Sequence, residues 1–257
     1  MLPEEVTFSI FSYLPAKDLG GAQRVSRCWN AIASDPRLKQ PFLDADLKKL
    51  DVRCCYIGKE AWYCLGDIID EVPPLPDDIL EILNSPCPWT AEKKVKETHI
   101  LALIPKDLTL NSIGELVKEP KKGQKIKYHP LYDLIEEEYG NTAETESYWA
   151  LMTKDVLNGS RCKTRSKQLA LAKEKDGYKA PNLRQAIFIN FMLFVSKEIS
   201  LFGWKKFTCC REKPEGKRLL AVGGFRSGGF RYSGLVVVEN DDYGSNRSIG
   251  VAAVRKL

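Results

Sequence analysis

Nowhere in these 257 residues do about eighteen apolar residues run together, so no membrane-spanning helix is expected. The longest apolar stretch, Ala186 to Val195, is broken by Asn190. The first residues lack a basic segment leading into an apolar one, which argues against a secretory signal peptide. Histidine is scarce: only His99 and His129 occur, which leaves few groups for general acid–base work. The eight cysteines include the adjacent pairs Cys54-Cys55 and Cys209-Cys210, with Cys28, Cys64, Cys87 and Cys162 scattered. None has C-x-x-C spacing, so a structural zinc site lacks a signature, and neither metal nor cofactor is expected. Without a signal peptide, reduced thiols in a cytoplasmic setting are the simpler reading.

What is present is ordinary in amount and uneven in place. An apolar share of 44% suits a globular protein, and the length allows one large domain or two to three small ones. Net charge is +5. Residues 196–257 hold twelve basic and six acidic side chains, while the rest of the chain is nearly balanced. A basic end suggests an acidic partner or nucleic acid. No pattern of stacking aromatics accompanies it, so a solvated basic face is the plainer reading and nucleic acid is not expected.

The first forty residues read as short amphipathic helices. Pro3 suits the first turn of a helix, where its missing N–H is no loss. Glu4 and Glu5 sit where the helix dipole favours negative charge. Val6, Ile10, Phe11 and Leu14 share one face, and Pro15 stops the run. Val25, Cys28, Trp29, Ile32 and Ala33 form a second stripe, ended by Asp35-Pro36. Forty residues bury too little for a self-sufficient core, so part of this surface must meet a neighbour.

Leu2-Pro3, the Ile10-Phe11-Ser12-Tyr13-Leu14-Pro15 block, Asp18-Leu19 and the Val25-x-x-x-Trp29 spacing together resemble the F-box family. Several spaced elements agree in order, over roughly residues 1 to 43. The resemblance implies a three-helix cluster that packs against the Skp-type adaptor of a cullin–RING (SCF) ubiquitin ligase. It assigns adaptor docking to Leu2, Pro3, Ile10, Leu14, Leu19, Val25 and Trp29. Gly20-Gly21 departs from the family pattern, because glycine weakens a helix by about 1 kcal/mol per residue.

Beyond the F-box the boundaries are softer. Val72 to Asp78 is a proline-rich break, and a sub-boundary near 73–90 or 140 is open. Residues 51 to 67 suggest short strands, and Thr98 to Pro105 a buried strand ended by proline. Ile113 to Val117 reads as a short helix capped by Asn111 or Ser112. Lys118 to Lys127 reads as a basic loop. Asn141 and Glu144 are spaced to start a helix through Leu157, while Tyr148 to Thr153 serves equally well as a strand. Pro181 to Val195 is apolar nearly all round and should be a buried helix. Phe207–Arg211, Arg218–Val222, Gly234–Val238 and Ile249–Arg255 are strand-like runs separated by glycine-rich turns, as in an antiparallel sheet. No internal repeat occurs, so the leucine-rich and WD-type arrays that many F-box proteins carry are not expected.

These patterns give an α+β protein: the F-box-like segment at 1–45, then a mixed helix and antiparallel-sheet region at 46–257, which the F-box resemblance implies is the part that binds the target protein. Ser85 to Trp89, Leu108 to Ser112, Ser147-Tyr148-Trp149 with Asp155-Val156, and Val222 to Phe225 resemble a module accompanying F-boxes in chlamydia-like intracellular bacteria. That resemblance implies an effector working in a host cytosol. Gly223 to Gly229 looks like a phosphate-cradling loop, but it lacks a Gly-Lys-Ser/Thr ending and a following helix pattern. A strand-to-strand turn is the better reading, with Arg226 and Arg231 as a candidate anion or target-peptide pocket. Glu136-Glu137-Glu138 reads as a solvated face. The rival class is an enzyme, such as a Cys–His hydrolase, which needs a cysteine beside His99 or His129 and shows no local signature. His99 opens an apolar strand and reads as a core or rim residue.

Overall fold

A computed structural model describes residues 56–126, 137–203, 205–213, 219–223, 236–240 and 247–257. The chain divides into two units, residues 1–52 with 74–77 and residues 53–73 with 78–257. All elements below belong to the second unit. The three-helix F-box expected at 1–45 lies outside the described residues.

A five-stranded mixed sheet forms the frame. It contains β1 (Tyr56–Ile57), β4 (His99–Ile104), β5 (Tyr148–Thr153), β6 (Tyr178–Lys179) and β11 (Val254–Lys256), in the order β1-β4-β5-β11-β6. β4 and β5 pair antiparallel along six residues each, from His99↔Thr153 to Ile104↔Tyr148. Every residue of both strands is buried. Strands covered on both faces lose the in–out alternation that marks a half-exposed strand. That is why Tyr148 to Thr153 reads equally as helix in the sequence, and the structure resolves it as strand. Pro105 ends β4 as expected.

A second sheet contains β7 (Phe207–Cys209), β8 (Leu219–Gly223), β9 (Val236–Asn240) and β10 (Ile249–Gly250), in the order β10-β7-β8-β9. A small hairpin pairs β2 (Pro86–Cys87) with β3 (Thr90–Lys94). Most ladders are antiparallel, but β1–β4 and β10–β7 run parallel, so the antiparallel expectation holds only in part. The run Ile249–Arg255 is a further correction. It is two strands in different sheets, joined by Val251-Ala252-Ala253. Each of these three N–H groups is satisfied by a side-chain hydroxyl: Ser160 Oγ (3.1 Å), Thr208 Oγ1 (2.8 Å) and Thr153 Oγ1 (3.1 Å). Buried donors need partners, and these hydroxyls supply them where the chain leaves one ladder for the other.

The helices are α1 (Lys59–Trp62), α2 (Ile79–Asn84), α3 (Val95–Thr98), α4 (Leu110–Leu116), α5 (Arg165–Ala172) and α6 (Leu183–Lys197). α6 is buried along most of its fifteen residues, because it packs on β1 and β4 and also on β8. Phe188 meets Trp62 edge-on at 5.9 Å, and the Trp62 Nε1–H donates to Leu103 O at 3.1 Å. α4 confirms the expected short helix, but its cap is Thr109, whose Oγ1 accepts from Ser112 N at 3.0 Å. Asn111 and Ser112 lie inside the helix, which corrects the expected cap. Residues 71–76 are neither helix nor strand, as their prolines predict, and 118–126 form a loop. Residues 56–67 hold one short strand and then α1, where only short strands were expected. Helices beside separate sheets make this unit α+β.

Candidate functional site

The N-terminus of α6 collects polar side chains from four other parts of the unit. Asn182 Oδ1 accepts from Gln185 N (2.6 Å) while Gln185 Oε1 accepts from Asn182 N (2.9 Å), a reciprocal cap. Just after β7, Arg211 N donates to Pro181 O at 3.0 Å. That contact brings Glu212 to the helix start, where its Oε2 accepts from Leu183 N at 2.8 Å. Negative charge is favourable there. Burial nevertheless pushes the Glu212 carboxyl above the ordinary carboxylate range, against the pull of its backbone hydrogen bonds and of Arg211 and Arg184.

A second carboxylate, Glu144, is saturated by its neighbours. Arg184 Nη1 pairs with Glu144 Oε1 at 2.9 Å, and Asn182 Nδ2 and the Tyr148 hydroxyl donate to the same oxygen at 3.4 Å. Arg184 Nη2 also donates to Thr142 O and Oγ1 at 2.6 and 2.7 Å. Gln185 Nε2 donates to the Tyr148 hydroxyl at 3.0 Å. Arg165, at the start of α5, donates through Nη2 to Arg211 O and to Glu212 O. The Arg211 Nε is buried with no hydrogen-bond partner. Lys179 stands on β6, two residues before Pro181. Burial and the Arg211 and Lys256 charges hold its ammonium below the ordinary lysine range. The nearby Cys210 is buried, and burial pushes its thiol far up, so it stays protonated and is a poor nucleophile.

His99 lies elsewhere, in an aromatic trio. Its ring is 5.6 Å from Tyr178 and 6.2 Å from Trp89, and Trp89 meets Tyr178 edge-on at 4.9 Å. The Thr98 hydroxyl donates to backbone oxygens of Lys94 and Val95, and its oxygen lies 2.9 Å from His99 Nδ1. His99 Nε2 and Trp89 Nε1 are both buried without a hydrogen-bond partner. Burial lowers the His99 pKa from 6.5 to about 4, and burial pushes Tyr178 up to about 12. The sequence expectation of a core histidine is met.

The docking set Leu2, Pro3, Ile10, Leu14, Leu19, Val25 and Trp29 lies outside the described residues, as do Arg226, Arg231, His129 and Glu136. Gly223 closes β8, and a Cβ there would approach Lys206 O to 2.2 Å. The rest of the 223–229 glycine run is also outside. Among the described residues no group of three or more His, Cys, Asp or Glu could hold a metal ion, and no helix is long and apolar enough to cross a membrane. Sequence reading did not single out Lys179, Arg211 or Glu212. Pro181-Asn182 with Gln185 marks a helix start, but nothing in the sequence shows what meets it.

Comparison with curated proteins and with solved structures finds no match, so the resemblance of the later region to a module of chlamydia-like bacteria gains no support. Comparison with family models does find one: residues 1–41 match the family described as F-box-like. All seven docking positions read from the sequence belong to the spaced motifs that carry this likeness, and all seven fall inside the match. The chain therefore carries an F-box-like domain at residues 1–41.

Proposed function

We propose that this protein is a target-recruiting subunit of an SCF-type ubiquitin ligase. Residues 1–41 dock a Skp-type adaptor, with Leu2, Pro3, Ile10, Leu14, Leu19, Val25 and Trp29 as the contact set. The unit of residues 53–73 and 78–257 holds the protein to be modified. Work of this kind is done in the cytosol. The mechanism is scaffolding: holding both partners on one chain converts ubiquitin transfer into an effectively intramolecular encounter and raises the local concentration of target lysines. The reaction asks this chain for two binding surfaces and no reacting group. The observation that carries the reading is the F-box-like match over the residues whose order first suggested it.

The test is a pull-down of the full chain with purified Skp-type adaptor, beside a Leu2→Ala, Pro3→Ala, Leu14→Ala variant. Truncating buried apolar anchors at an interface costs about 2 kcal/mol or more each, so the variant should lose the adaptor. Wild-type chain that is folded and does not bind the adaptor would sink the proposal.

A further inference from the structure

We propose that the basic rim beside the α6 N-terminus, built on Lys179 and Arg211, is a docking site for an acidic segment of a partner protein. The proposal rests on the target-recruiting reading for its biological sense, while the site itself stands on its own geometry.

Two cations are brought to one place without enough acid to balance them. Arg211 is fixed by its backbone: its N–H donates to Pro181 O at 3.0 Å, and its carbonyl accepts from Arg165 Nη2. Lys179 lies two residues before that same proline, on β6, where it is paired in register with Val254. Two acids face them. Glu144 is already engaged by Arg184, Asn182 and Tyr148, and Glu212 is engaged by the N–H of Leu183. The Arg211 Nε, buried with no partner, is a donor still to be satisfied. Like charges held half-buried repel, and an outside anion relieves that repulsion.

The rim continues outward. Arg165 ties the start of α5 to Arg211, and between Asp155 and Glu174 there are five basic residues and no acidic one. Four of them, Arg161, Lys163, Lys167 and Lys173, are exposed. A single small anion would need only the inner pair. A rim of this extent fits a run of carboxylates. Nucleic acid is the weaker fit, because sequence-tolerant binding relies on exposed aromatic rings, and among the described residues Tyr63 is the one large hydrophobic exposed. It sits in the α1 turn, apart from these residues in the chain.

The experiment is fluorescence anisotropy of the full chain with a labelled oligoglutamate peptide, and with a single-stranded oligonucleotide of equal charge. The peptide should bind at low salt and weaken steeply as salt rises. Lys179→Met with Arg211→Met should weaken it on the order of tenfold or more, from two lost charge-assisted contacts. Lys179→Arg with Arg211→Lys should retain binding, and Lys93→Met, on the exposed β3, should leave it unchanged. The backbone contacts of residue 211 survive these changes, and a cooperative melt checks that each variant is folded. A folded wild type that ignores the peptide overturns the proposal, as does equal binding by the double methionine variant. Tighter binding of the oligonucleotide overturns it in favour of nucleic acid. Adaptor binding is measured on the same variants. Peptide lost with adaptor kept reports on this site, while adaptor absent with peptide kept counts against the ligase reading alone.

Discussion

His99 sets a pH dependence whose sign follows from its burial. An unfolded histidine takes its proton near pH 6.5, whereas the folded one refuses it until about pH 4. Between those values the unfolded state binds more protons, so stability rises with pH and falls on acidification. Above about 6.5 both states are neutral and the effect is absent. Each unit of pH is worth about 1.4 kcal/mol, so the full window costs roughly 3 kcal/mol. His99→Phe keeps a ring against Tyr178 and Trp89 and removes the titration. Urea unfolding of both proteins across this window should show the wild type losing stability more steeply on acidification, by about one proton. Parallel profiles would refute the assignment. The position of His99 in an apolar strand was legible from its neighbours in sequence. Its ring partners were not, because Trp89 comes from the β2–β3 turn and Tyr178 from β6, and no local pattern joins them.

At the scale of elements, legibility followed periodicity. α6 was readable because fifteen residues rich in Phe, Ile and Leu, with no glycine or proline, leave few alternatives to a buried helix. β4 was readable because Pro105 punctuates it. β5 was not, because burial on both faces erases the alternation that separates strand from helix. The α4 cap was misplaced because Thr109, Asn111 and Ser112 all have capping side chains, and burial of Leu110 inside the helix decides among them. The α6 start offers a quantitative test of capping. Asn182→Ala removes the acceptor for Gln185 N and should cost about 1 kcal/mol in denaturant unfolding. A loss near zero would mean that the Glu212 carboxylate on Leu183 N suffices to satisfy the helix start. A loss well above the capping range would implicate the Glu144 network that Asn182 also touches.

For the molecule as a whole, sequence contiguity decides what can be seen without coordinates. The F-box motifs lie within forty residues in a fixed order, so they can be read directly. The basic rim draws on residues 161 to 211 from three elements, and only folding brings them together. Ile249–Arg255 shows the same limit: its composition suggests one strand, yet buried hydroxyls at Thr153, Ser160 and Thr208 let it serve two sheets. This makes the final strand a keystone. β11 lies between β5 and β6, with Val254 opposite both Met152 and Lys179. Deleting residues 254–257 would strip the ladder from β5 and leave β6 without a sheet. The cost should be several kcal/mol, comparable with the total stability of about 5–15 kcal/mol typical of a domain. Circular dichroism of the truncated chain should therefore show no cooperative thermal transition for this unit. Lys256→Ser, which keeps the strand and gives up the exposed pair with Glu146 and the ammonium 4.5 Å above the Tyr148 ring, should cost about 1 kcal/mol. If the truncation melts as cooperatively as the substitution, β11 is an ornament of the sheet, and the two sheets owe their connection to Val251–Ala253 alone.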